Sequence, residues 1–244
     1  MAYGKILPPV VLIAGIVGWM QPVQAATVTY CGPNVCYQYD SGQAAVAWFG
    51  LPSFIGDSAY FLPTVFEARS ADGVGIHSTT NTDVADATFV FSKVYTVSTS
   101  NEIASLWIHE EGDHEINYAA GEVHADLYVL AKGLNNLIEP SMIATDSFDQ
   151  IGAPFGLQPW SMDATLTPAA TLTQLANNMS LTIQNTLSAF TSDSTGGSEL
   201  AWIEKKLVLD ITTTTPVPVP AGLWLLGSAL GVLAVARRRR LVAV

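Results

Sequence analysis

The stretch ATFVFSKVYTVSTS, residues 87–100, is the clearest indicator of the fold. Its apolar and polar residues alternate with a period of two, which is typical of a strand with one buried and one solvent-facing side. The same alternation recurs in EIASLWIHEE (102–111), GEVHADLYVLAKG (121–133) and AWIEKKLVLDIT (201–212), with turn-forming residues between the runs. The pattern predicts an all-β protein, built as a single β-sandwich or jelly-roll-like domain.

The segment TPAATLTQLANNMSLTIQNTLSAF, residues 167–190, fits two patterns. Leu172, Leu175 and Met179 lie close to helical spacing, but Leu181 and Ile183 alternate as in a strand. Threonine and asparagine are also poor residues for a helix interior. We therefore predict a strand from about residue 180 onward.

Two cysteines, Cys31 and Cys36, lie in the stretch TYCGPNVCYQYD. Turn-forming residues separate them and strand-like residues flank them, so we expect a disulfide that closes a small hairpin. The alternative, a redox-active pair, would have two intervening residues and open a helix. Four residues intervene here, which favours the structural disulfide.

The two ends of the chain read as targeting segments. Lys5 precedes the apolar run ILPPVVLIAGIVGWM, and the small residues of Val23-Gln24-Ala25 stand before Ala26, which predicts a signal peptide over 1–25. An uncleaved anchor is the alternative. At the other end, the sequence predicts a Thr/Pro spacer over 212–220, a transmembrane helix over 221–236 and an arginine-rich cytoplasmic tail over 237–244.

The C-terminal stretch VPVPAGLWLLGSALGVLAVARRRR, residues 217–240, resembles the PEP-CTERM sorting signal of Gram-negative bacteria. The family's Pro-Glu-Pro stands here as Pro-Val-Pro. The resemblance implies recognition and processing by exosortase, passage through the inner membrane, and a final place at the cell surface or in the extracellular matrix, beside exopolysaccharide. The residues that carry it are Val217, Pro218, Val219, Pro220, Arg237, Arg238, Arg239 and Arg240.

The net charge of the segment between these ends, residues 26–211, limits the kinds of molecule that it can bind. All 21 acidic residues lie between the targeting segments, against five basic residues, so the processed chain carries a net charge of about −16. Such a surface repels nucleic acid and anionic lipid, and it excludes a nucleic-acid-binding role.

The stretch WIHEEGDHEINYAAGEVHAD holds three of the four histidines. A two-residue hairpin turn at Glu111-Gly112 would place Glu110 opposite Asp113 and His109 opposite His114. The His pair and its carboxylates would suit Zn²⁺, and the carboxylates alone would suit Ca²⁺. A solvated hairpin tip without a metal is the simpler interpretation. The predicted metal ligands are His109, Glu110, Asp113 and His114.

The sequence contains few other features that indicate a catalytic or binding site. The chain has no Gly-x-Ser-x-Gly elbow and no phosphate-cradling glycine loop, so we expect no enzyme. Core packing is the favoured role for both Trp107 and Trp160, and Trp160 is the better candidate for a surface position, where a tryptophan can stack on sugar rings. The sequence thus favours a structural or adhesive exported protein that contacts exopolysaccharide. A secreted glycan hydrolase and a divalent-cation-dependent binding module are the alternatives.

Overall fold

The computed structural model describes residues 26–134, 140–152, 156–168, 177–192 and 199–214. Both predicted targeting segments, 1–25 and 221–244, lie outside these ranges, and so do all eight sorting residues. Within the described residues, no helix has the length and apolar character that crossing a membrane requires.

The described chain is mostly β-strand, with one short helix. The elements in chain order are β1 (Thr27–Cys31), β2 (Val35–Asp40), α1 (Val46–Phe49), β3 (Ser53–Ile55), β4 (Ser58–Phe61), β5 (Glu67–Ala71), β6 (Val74–Gly75), β7 (Thr82–Thr96), β8 (Glu102–Ile116), β9 (Glu122–Gly133), β10 (Ser141–Ile151), β11 (Leu157–Leu166), β12 (Asn178–Phe190), β13 (Leu200–Glu204) and β14 (Lys206–Thr214). The all-β prediction is confirmed, and β12 confirms the strand predicted from about residue 180.

The strands form two antiparallel sheets. The six-stranded sheet has the order β1-β2-β7-β12-β9-β10, and the eight-stranded sheet has the order β3-β4-β14-β8-β13-β5-β6 with β11 added on the free edge of β8. The sheets pack against each other, since β12 contacts both β5 and β13. This sandwich-like arrangement buries one face of each sheet and leaves the other in solvent.

The core lies between the two sheets and is rich in aromatic rings. Phe89 and Phe91 of β7 have their ring centroids 5.1 Å apart, and Phe61 packs edge-on against Phe89 at 4.8 Å. These residues alternate with exposed ones along β7, as the opening stretch of the sequence predicts. Burial of this apolar surface is the main source of stability.

The predicted disulfide between Cys31 and Cys36 is confirmed. It joins β1 to β2, which form the first hairpin. Asp57 fixes this hairpin to the second sheet, because its carboxylate accepts hydrogen bonds from the backbone N–H groups of Asn34 and Val35 at 2.9 and 3.0 Å. Gly32 allows the close approach, since a Cβ there would lie 2.2 Å from the carbonyl oxygen of Gly56.

The last strand extends beyond the predicted domain boundary at residue 211. β14 continues to Thr214, and Thr213 and Thr214 pair with Ile103 and Glu102. Residues 212–214, which the sequence assigns to the spacer, are therefore part of the sheet.

Candidate functional site

β8 is one continuous strand, so the predicted hairpin turn at Glu111-Gly112 is wrong. Glu111 pairs with Ser161 of β11 on one side and Lys206 of β14 on the other. Glycine is needed at position 112 for close packing and not for a turn, because a Cβ there would lie 1.9 Å from the carbonyl oxygen of Glu204.

The continuous strand separates the four predicted metal ligands. Glu110 and His114 point into the core, whereas His109 and Asp113 lie on the outer face of the sheet. Successive residues of a strand point to opposite sides, so the four cannot converge as the hairpin would have required. Across the ranges that the structure describes, no three His, Cys, Asp or Glu side chains are grouped as metal ligands.

The outer face of β8 carries an aromatic platform made of Trp107 and His109. Their rings stack with centroids 5.1 Å apart and planes 18° from parallel, and 39% of Trp107 is exposed. His109 Nδ1 lies 2.9 Å from a carboxylate oxygen of Asp163, the residue opposite it on β11. We call Trp107, His109 and Asp163 the outer platform.

A shallow groove of about 460 Å³ runs beside the outer platform. It presents carboxylates and a hydroxyl to solvent next to an exposed indole, which is a surface able to bind a polar molecule with one apolar side. The groove is lined by His109, Glu111, Gly112, Asp113, Pro159, Trp160 and Ser161.

Trp160, the better candidate for a surface position, is buried in the core, whereas Trp107, predicted in the core, is exposed. Trp160 is 4% exposed, its Nε1–H donates to the carbonyl oxygen of Glu204 at 2.9 Å, and its ring stacks on Phe148. Its neighbouring prolines suggested a surface loop, but it lies within β11 on the inward side, whereas Trp107 lies on the outward side of β8.

A second polar group lies on the outer face of the six-stranded sheet. His124 of β9 lies between two carboxylates, with Nε2 2.7 Å from Asp126 and Nδ1 in hydrogen-bond contact with Asp149 of β10. Partial burial lowers the pKa of His124, but the hydrogen bonds to Asp126 and Asp149 outweigh it, so the pKa is raised. Sequence reasoning placed His124 near acidic residues but missed Asp149, since that contact depends on how two strands align.

A third polar group lies in the core. Lys205, between β13 and β14, has its Nζ 3.0 Å from Glu110 Oε1, and both side chains are fully buried. The ammonium group also lies over the rings of Phe49 and Phe66, at 4.7 and 4.5 Å from their centroids. Sequence reasoning missed this group because Lys205 looked like one residue of a single long strand.

Burial shifts the pKa values of both Lys205 and Glu110. It lowers the pKa of Lys205 to about 8, although the negative charge of Glu110 acts in the opposite direction. It also raises the pKa of Glu110, against the effects of Lys205 and of the nearby Asn185 amide. Each group is thus closer to its neutral form than it would be in water.

Comparisons with known proteins leave the family open. No protein-family model matches the chain, and no curated protein matches it significantly. Two chains from structures of infectious bursal disease virus, of the Gt and Gx strains, are 11% and 10% identical to it. The alignments cover 85% and 86% of this chain but only 57% and 58% of the viral chains, and the TM-score of 0.12 in both carries no argument.

Proposed function

We propose that this chain is an exported, non-enzymatic protein that exosortase sorts to the cell surface or extracellular matrix, where the outer platform binds polysaccharide. In this proposal the two sheets form a β-sandwich whose outward faces meet the matrix. The observation that carries the binding role is the exposed Trp107, stacked on His109 beside the groove. The C-terminal likeness to PEP-CTERM signals supports the sorting role.

The outer platform suits a sugar ring for physical reasons. A sugar has an apolar face of C–H groups, which can stack on an indole, and hydroxyls at its rim that need hydrogen-bond partners. Asp163 and Glu111 place carboxylate acceptors beside the half-buried imidazole of His109, which stacks on the indole of Trp107. The outer platform and the groove beside it therefore offer both kinds of interaction.

Charge selects the class of polysaccharide. The processed chain carries about −16, and carboxylates surround the groove, so a uronic-acid polymer would be repelled. A neutral glucan or an amino-sugar polymer meets no such repulsion. We therefore expect binding to neutral or amino-bearing polysaccharide.

Affinity electrophoresis of the full chain in gels containing a neutral glucan, chitosan or alginate tests the binding role. We expect retardation by the first two and none by alginate. Trp107→Ala should weaken binding at least about fivefold, because an aromatic anchor typically contributes more than 1 kcal/mol. Val90→Ala, which removes an exposed apolar side chain on the other sheet, is the matched control.

Equal retardation of Trp107→Ala and wild type would remove the outer platform from the proposal. Release of soluble sugar during the assay would instead favour the hydrolase alternative.

Mass spectrometry of both termini from the native host tests the sorting role separately. A C-terminus between 217 and 221 supports sorting, and an intact end at Val244 contradicts it.

A further inference from the structure

Three polar side chains are buried in the core between the two sheets, and we call them the buried triad: Lys205, Glu110 and Asn185. Lys205 and Glu110 belong to the eight-stranded sheet, and Asn185 belongs to β12 at the centre of the other sheet. Lys205 and Glu110 are fully buried, and Asn185 is 1% exposed. Aromatic rings surround the lysine, so the triad is shielded from water.

Asn185 is the unusual member of the buried triad. Among the residues that the structure describes, neither its Nδ2 nor its Oδ1 makes a hydrogen bond of normal geometry, and Glu110 Oε2 also has no hydrogen-bond partner. The amide nevertheless lies near enough to Glu110 to lower the pKa of that carboxyl group. Buried amides are nearly always hydrogen-bonded, so an unpaired one that acts on a buried carboxyl group needs an explanation.

The environment of Lys205 favours the neutral form of its amine, which is the nucleophilic form. A lysine amine attacks a carbonyl carbon only when it is neutral, and desolvation among apolar groups is the standard way to make it so. With a pKa of about 8, a substantial fraction of Lys205 is neutral in mildly alkaline solution. The adjacent Glu110 carboxyl group, 3.0 Å from Nζ, is placed to accept and return a proton.

We propose that Lys205 and Asn185 form an intramolecular isopeptide bond, with Glu110 as the group that transfers the proton. The neutral Nζ attacks Cγ of Asn185, and Glu110 takes a proton from the attacking nitrogen. Glu110 then gives that proton to the departing Nδ2 group, which leaves as ammonia. One C–N bond forms and one breaks, no electrons are transferred to a partner, and no co-reactant is needed.

The bond would connect the two sheets through their centres. Asn185 pairs with Ala87 and Leu127 in the middle of the six-stranded sheet, and Lys205 lies where β13 gives way to β14. Glu110 contacts Lys205 at 3.0 Å and also interacts with Asn185, so the reaction would have the rate advantage of an intramolecular step. A covalent tie at this point would resist separation of the sheets.

Peptide mapping of the folded full chain tests the proposal. After incubation at about pH 8.5, where Lys205 is largely neutral, the protein is denatured, reduced and digested. We expect a branched peptide that joins the segments containing Lys205 and Asn185, lighter by one ammonia than the two segments together. We expect no branched peptide in Lys205→Ala or Asn185→Ala.

Glu110→Gln isolates the proton-transfer role, since the amide keeps the size of the carboxyl group but cannot shuttle a proton. It should abolish the branched peptide while Lys205 and Asn185 stay in place, and Glu111→Gln should leave the yield unchanged. Circular dichroism of each variant shows whether it folds. Complete recovery of two unbranched segments from folded wild type overturns the proposal, whatever the variants do. A branched peptide in Glu110→Gln would overturn the role of Glu110.

Discussion

The two faces of β8 show how differently the same chemistry behaves on either side of one strand. Glu110 and Glu111 are adjacent carboxylates, but Glu110 is fully buried against Lys205 while the side chain of Glu111 is 58% exposed. Glu111 approaches His109 only to 3.7 Å. The inward carboxylate belongs to a buried pair with shifted pKa values, and the outward one lies on a solvent-exposed surface.

The difference teaches that the pleat of a strand, and not the composition of its sequence, assigns these roles. Water screens the outward pairs, so each contributes little to stability and stays available to a ligand. The inward pair has lost its hydration, and removing either partner leaves an uncompensated buried group. The two faces can therefore be separated by mutation.

The largest expected effect comes from Glu110→Ala. The change leaves Lys205 buried without its carboxylate and opens a cavity, so we expect a loss of about 3–5 kcal/mol in the free energy of unfolding. Urea denaturation of the full chain, followed by tryptophan fluorescence, measures it.

Glu111→Ala is the matched control for that experiment, because it removes the same side chain from the next residue of the strand. We expect a change within about 0.5 kcal/mol. Equal losses in the two variants would contradict the contrast between the faces.

A smaller effect is expected at Gly112, where the strand lies closest to its neighbour. A methyl group in Gly112→Ala would meet the carbonyl oxygen of Glu204 and Trp160 Nε1 at 1.9 and 2.8 Å, so the backbone must shift. We expect a loss of about 1–3 kcal/mol, as for other overpacked sites. Ser161→Ala, on the outward side of β11, should change the midpoint of urea unfolding very little. A stable Gly112→Ala would mean that β13 and β14 can move away from β8.

The parts of the fold that could be predicted are those where a local sequence pattern has one clear structural cause. The alternation in 87–100 predicts a strand with one buried face, and β7 follows it from Ala87 to Ser92. The alternation then shifts by one residue at Lys93, and the strand ends at Thr96 instead of residue 100. The cysteine spacing with a Gly-Pro-Asn turn was similarly sufficient for the first hairpin. Both predictions depend only on residues close together in the chain, and for that reason the sequence was sufficient to make them.

The site was less predictable because it depends on distant partners. The Glu111-Gly112 pair matches a hairpin turn locally, but two flanking strands, β11 and β14, keep β8 extended through it. Lys205 meets Glu110 across 95 positions of sequence. No local pattern encodes such a pairing, and the same limit concealed the exposure of Trp107.

The smallest expected effects come from two histidines whose pKa values move in opposite directions. Burial lowers the pKa of His114, and the backbone of Gln158 and the charge of Asp113 offset this only in part. As the pH falls below about 6.5, the unfolded chain takes up a proton at this position that the folded chain does not, so stability decreases. His124 has a raised pKa, so its contribution is fully present below about 6.5 and is lost as the pH rises through its folded-state pKa.

Urea unfolding of wild type, His114→Leu and His124→Gln between about pH 5 and pH 8.5 separates the two contributions. Lys205, whose pKa of about 8 also lies in this range, is present in all three proteins, so its contribution cancels when each variant is compared with wild type. Relative to wild type, His114→Leu should gain stability toward low pH. His124→Gln should lose more stability at low pH than at high pH, since only the protonated imidazole donates to Asp126 and Asp149 together. Parallel pH profiles for all three proteins would contradict both assignments. A change in the His124 variant alone would mean that His114 gains a proton in the folded core without cost.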